Sequence, residues 1–126
     1  MMSTEILICV LCRPADLPRE HPRPGRALLE AVENMALRDG LSFPIRAVEC
    51  MSGCNRHCTV SLQAHEKITY MFGDLAADET SAEQILVCAQ LHQNSADGLI
   101  SRDLRPERLR HGILARIPSI SLKPIG

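Results

Sequence analysis

The chain has 126 residues, 45% of them hydrophobic and 23% charged, with a formal net charge of −1, which is the balance of one ordinary globular domain over residues 1–126 rather than of a disordered or collagen-like chain. No apolar run approaches the ~18 residues needed to span a bilayer, and the opening residues lack a basic region leading into a cleavable apolar one, so a cytoplasmic protein without membrane association is expected. One Tyr, two Phe and no Trp leave little to stack on bases, and the net charge is slightly negative, so nucleic-acid binding is not expected either.

In chain order, Glu5 to Val10 is a short apolar run with β-branched residues and predicts a buried strand. Four prolines from Pro14 to Pro24 make the following stretch a loop. Leu28, Leu29, Val32, Met35 and Ala36 then form one helical stripe that Gly40 stops, which predicts a helix over 25–39. Residues 43–49 read as a second strand, so strand, helix and strand form a right-handed parallel crossover. Residues 59–62 and 68–72 alternate on either side of Ala64-His65-Glu66 and predict a hairpin. Asp78 or Thr80 caps a second helix reaching about Asn94, with Ala82, Ile85, Leu86 and Ala89 toward the core.

The stretch from about 96 to 126 reads as an irregular basic extension: beyond Asp97 it holds Arg102, Arg105, Arg108, Arg110, Arg116 and Lys123 against Asp103 and Glu107. Between Asp74 and Asp97 five acidic residues meet no Lys or Arg. The plainer account of this asymmetry is a basic tail folded over an acidic helix, and the sharper one is a docking patch for a redox partner protein.

Six cysteines stand at Cys9, Cys12, Cys50, Cys54, Cys58 and Cys88, and in a reducing compartment such spacings bind metal or perform redox chemistry more often than they form disulfides. The strands ending near Cys9 and Cys50 are parallel in this reading, so their carboxyl-end loops share one sheet edge. Cys9, Cys12, Cys50 and Cys54 then supply the four thiolates required by a tetrahedral zinc or by an iron–sulfur cluster. Ser52 and Gly53 leave room for backbone N–H groups to approach a cluster, which favours iron–sulfur over zinc. Cys58 is a fifth thiol in reach, either an alternative ligand or a packing residue, and Cys88 reads as core. His57 reads as solvent-facing, and His21, His65, His92 and His111 have no ligand-like spacing. Cys9-x-x-Cys12 is also the spacing of thiol–disulfide oxidoreductases, but the proline-rich loop separates it from the helix whose dipole would activate a thiol.

The β-α-β-β-β-α order resembles a thioredoxin-like α/β fold, a mixed sheet of four to five strands with two main helices. Glu49-Cys50-Met51-Ser52-Gly53-Cys54, followed by a hairpin carrying Lys67-Ile68-Thr69-Tyr70-Met71-Phe72-Gly73, resembles the second half of thioredoxin-like [2Fe-2S] ferredoxins. Cys9 matches the first cysteine of those proteins, while Arg23-Pro24-Gly25 stand where their second precedes the helix, so Cys12, and after it Cys58, is implied as the substitute. More widely, Cys9-Val10-Leu11-Cys12-Arg13, Cys58-Thr59-Val60, Tyr70-Met71-Phe72-Gly73-Asp74-Leu75, Arg105-Pro106-Glu107 and Ala115-Arg116-Ile117-Pro118 are similar to the DUF1636 family of predicted metal-binding proteins, often linked with cobalamin-biosynthesis genes. The resemblances imply a non-enzymatic one-electron carrier with a [2Fe-2S] cluster on Cys9, Cys12, Cys50 and Cys54, serving a redox partner protein, with a link to cobalamin synthesis and a homodimeric assembly implied by analogy. A zinc-binding structural or metal-handling protein and a Cys-x-x-Cys thiol–disulfide oxidoreductase are the competing readings.

Overall fold

The computed structural model describes residues 3–11, 23–53 and 56–120. The chain runs β1 (Glu5–Cys9), α1 (Pro24–Arg38), β2 (Ile45–Val48), β3 (Val60–Gln63), β4 (Thr69–Phe72), α2 (Glu79–Asn94), a 3₁₀ turn over Arg102–Leu104, α3 (Glu107–His111) and β5 (Ile113–Ile117). The five strands form one mixed sheet in the order β2-β1-β3-β4-β5. β1 and β2 are parallel, as the crossover predicts, and the other pairings are antiparallel.

Local chemistry accounts for the element ends. Pro24 opens α1, where its missing N–H costs nothing. Gly40 at φ +69° closes it, while the Leu41 N–H returns to the Ala36 carbonyl at 2.8 Å. At the start of α2 the Asp78 carboxylate accepts from the Ser81 N–H at 2.8 Å, so Asp78 rather than Thr80 is the cap.

Among the described residues the helices pack on one face of the sheet. Ile6, Ile8 and Val10 of the first strand segment, Val60 and Leu62 of β3, and Tyr70 and Phe72 of β4 share one core with the stripes of both long helices. Tyr70 anchors it: its ring stacks on Phe72 at 5.6 Å and its hydroxyl accepts from the Ile100 N–H at 2.9 Å. Leu7 and Cys9 alternate to the opposite face.

The C-terminal stretch is more ordered than its charge pattern predicts. Instead of an irregular tail it supplies α3 and the edge strand β5, which pairs with β4 across a bulge between Met71 and Phe72. Arg108 reaches back to Asp78 at 2.7 Å and takes the Gln84 side-chain oxygen on its backbone N–H at 2.8 Å. At this residue the basic stretch does fold over the acidic helix. Among the described residues no helix is long and apolar enough to cross a membrane.

Candidate metal centre

Cys9 and Val48 are register partners at the carboxyl ends of β1 and β2, and the Val10 N–H continues the ladder to the Val48 carbonyl at 2.9 Å. Parallel pairing therefore delivers Glu49 and Cys50 beside Cys9. The Cys9 Sγ lies 3.8 Å from the Glu49 carbonyl, a weak S–H donor to an oxygen acceptor across 40 residues of chain. Cys9 is 2% exposed, whereas Cys50 is open to solvent.

The loop after Cys50 turns back on its own sulfur. Ser52 adopts φ 59°, and its backbone N–H donates to the Cys50 Sγ at 3.2 Å. Backbone donors of this kind stabilise negative charge on sulfur and are among the features that set the potential of cysteine-ligated clusters. Gly53 then packs so tightly on the sheet that an added Cβ would lie 2.5 Å from Thr59 Cγ2 and 3.2 Å from Met71 Cε. Farther on, the Arg56 guanidinium makes a bidentate pair with Asp74, and the Asp74 N–H donates to the Arg56 carbonyl at 2.7 Å. That pair holds the Asp74 carboxyl below the usual carboxylate range, and it fastens the returning loop to the end of β4.

Gly25 sets the approach of α1. A Cβ at this position would sit 2.0 Å from the Cys9 carbonyl oxygen, so only glycine lets the first turn of the helix touch the end of β1. This corrects the expectation that the proline-rich loop keeps the helix away from Cys9. The start of α1 has no acidic residue and no side-chain cap, leaving the positive end of its dipole beside the cysteine edge. Arg23 adds a hydrogen bond to the Leu11 carbonyl at 2.8 Å.

The other cysteines separate by face. Cys58 is 1% exposed, and its backbone pairs with Leu75 through an N–H···O bond of 2.9 Å. It belongs to the core on the helical side with Val10 and Val60, while Cys9 lies on the opposite face. Cys88 is fully buried in α2, and burial pushes its thiol up to about 12. Cys12 and Cys54 lie outside the described residues. Among the described residues no three His, Cys, Asp or Glu side chains converge on a metal position.

Of the histidines, His57 is half-buried rather than solvent-facing, and His65 and His111 are exposed. His21 lies outside the described residues. His92 is fully buried: Nδ1 meets the Thr4 hydroxyl at 2.8 Å and Nε2 meets the Ile68 carbonyl at 2.7 Å. It ties α2 to the residues just before β1 and β4, and its spacing from Ile85 and Ala89 already places it on the inward stripe of α2.

The fold is shared with solved proteins of low sequence identity. A thioredoxin-like [2Fe-2S] ferredoxin from Aquifex aeolicus is 15% identical with a TM-score of 0.57, covering 97% of this chain and 94% of that one. A second structure, the wild-type thioredoxin-like [2Fe-2S] ferredoxin from the same organism, is 14% identical with a TM-score of 0.54, covering 90% and 97%. No curated protein matches the sequence. The family model described as "Protein of unknown function (DUF1636)" matches residues 6–119; with its cysteine loops gathered at one edge of a thioredoxin-like sheet, the chain belongs to that family.

Proposed function

We propose that the protein is a ferredoxin-like one-electron carrier holding a [2Fe-2S] cluster on Cys9, Cys12, Cys50 and Cys54. The observation that carries this reading is the meeting of the Cys9 and Cys50 loops at the carboxyl edge of parallel strands, with the Ser52 N–H already directed at the Cys50 sulfur. The similarity to thioredoxin-like [2Fe-2S] ferredoxins supports it at the level of the fold. The bound cluster supplies one-electron chemistry, since its iron is the redox-active group. The chain's own residues do the rest. Cys9 is closed off from solvent, Cys50 stands at the surface where an electron exchanges with a redox partner protein, and the start of α1 and the Ser52 amide favour added negative charge. Cys58 stays in the core.

Anaerobic purification with a visible absorption spectrum and iron, acid-labile sulfide and zinc analysis on one sample tests the proposal. Red-brown protein with about two irons and two sulfides per chain is expected. Stoichiometric zinc without sulfide, reproduced in iron-replete cells, overturns it.

A further inference from the structure

Arg105 is 7% exposed, yet among the described residues no carboxylate lies within ion-pair distance of it, and its Nε has no hydrogen-bond partner. Its guanidinium carbon lies 5.9 Å from the centroid of the Tyr70 ring, a cation–π contact that holds the group in place without neutralising it. Its charge also acts on the Cys88 thiol, which burial keeps protonated and which therefore offers no counter-charge. A buried charge without a partner is costly, and a docked anion relieves that cost.

Two further arginines adjoin Arg105 and Tyr70. Arg116 of β5 is the register partner of Tyr70, so both side chains leave the same face of the sheet, and Arg116 is exposed. Arg110 of α3 is tied to the backbone of Arg105, its Nε donating to the Arg105 carbonyl at 3.2 Å. Neither makes an ion pair among the described residues, although Asp103 and Glu107 stand in the same stretch. The neighbouring arginines differ, since Arg56 and Arg108 are neutralised by Asp74 and Asp78.

We infer that Arg105, Arg110 and Arg116 form a docking surface for the carboxylate-rich face of a partner protein, with Arg105 as its fixed centre and the other two as its rim. Guanidinium forks match carboxylates bidentately, and charge complementarity of this kind steers association and fixes register. A protein fits better than a nucleic acid because the one tyrosine is already covered by Arg105 and Phe72 and has no face free for a base. Counting the spacings between β1 and β5, the patch lies on the order of 15 Å from the Cys9 strand. This inference deepens the electron-carrier reading by giving the redox partner's surface a chemistry, but the docking itself is testable whatever the cysteines bind.

The test is a titration of the folded protein with a short poly-L-glutamate peptide, followed by the NMR signals of the arginine Nε–H groups. The Arg105, Arg110 and Arg116 signals are expected to move together, with an affinity that falls as salt rises. Arg116→Gln and Arg110→Gln, both partly or fully exposed, are each expected to weaken binding by about tenfold, while Arg26→Gln on α1 leaves it unchanged. Equal loss in Arg26→Gln, or no movement of Arg105, overturns the inference. So does inorganic phosphate moving the same signals at equal or lower concentration, or a single-stranded oligonucleotide binding more tightly than the peptide. Iron and sulfide content, measured on the same samples, separates failure of the docking surface from failure of the metal reading.

Discussion

The Ser52 N–H donates to the Cys50 Sγ at 3.2 Å from a backbone held at φ 59°. Both the donor and the left-handed conformation belong to one residue, so two substitutions separate them. Ser52→Gly keeps the N–H and relieves the steric cost of a side chain at positive φ, and is expected to raise stability by about 0.5–1 kcal/mol without changing the metal content. Ser52→Pro removes the donor and cannot adopt this φ, and is expected to lower the reduction potential and the retained iron. Chemical denaturation and a redox titration read the two effects independently.

Gly25→Ala is expected to be among the most damaging single substitutions. The new methyl would lie 2.0 Å from the Cys9 carbonyl oxygen, so α1 must move off the end of β1. A loss of at least about 2 kcal/mol is expected, in the range of overpacked cores. Urea unfolding checks it.

The cysteines divide into two classes by reactivity. With burial raising its thiol to about 12, Cys88 is expected to resist maleimide at pH 7.5 in the native, metal-free protein, while the exposed Cys50 reacts. Mass mapping of the labelled peptides reads this directly. On the proposed cluster, Cys58→Ala and Cys88→Ala are expected to leave the iron content unchanged, whereas Cys9→Ser and Cys50→Ser are expected to abolish it.

Stability is expected to fall on the acid side first through His92. Burial, the largest cause, lowers its folded-state affinity for protons, and the Lys67 charge adds to it, against the opposing hydrogen bond to Ile68. The unfolded chain, with an ordinary histidine, therefore binds the extra proton first. The native state loses stability as pH drops below about 6.5, with a slope of at most about 1.4 kcal/mol per pH unit. Asp74, Asp78 and Asp97, whose folded carboxyls are held low by Arg56, by the Ser81 N–H and by the Leu99 N–H respectively, add their losses only as pH falls through the lower, carboxylate range. Denaturation at pH 8 and pH 5.5 is expected to show the difference in the native protein and a much smaller one in His92→Gln.

The first two-thirds of the fold is legible because its signals are local and agree with one another. The α1 stripe from Leu28 to Ala36, the Gly40 stop and the Asp78 cap each predict their element to within about a residue. β5 was not legible. Arg116 interrupts its apolar run, and the bulge opposite Met71 and Phe72 shifts its alternation, so a strand at the sheet edge reads as part of a charge run. At the site, the spacing places Cys9 and Cys50 on one edge, which the structure reproduces. The separation of Cys9 from Cys58 across the sheet depends on pairing with Thr59, whose carbonyl accepts the Cys9 N–H at 3.2 Å. No spacing rule reports that, and none reports Gly25 against the Cys9 carbonyl, because both are contacts between segments far apart in the chain.

The placement of β1 bears on how the protein matures. This strand lies between β2 and β3, neither of which neighbours the other, and Cys9 and Cys50 reach a common edge only once it has paired in parallel with β2, a partner made much later in the chain. A nascent chain carries these thiols on separate segments until that pairing is complete. The proposed cluster, gripped across these two loops, would latch β2 to β1: it has no preformed seat in the unfolded chain, and its binding energy would be added to that of folding. Stripping it would release the edge strand β2 first, since β1 keeps its pairing with β3.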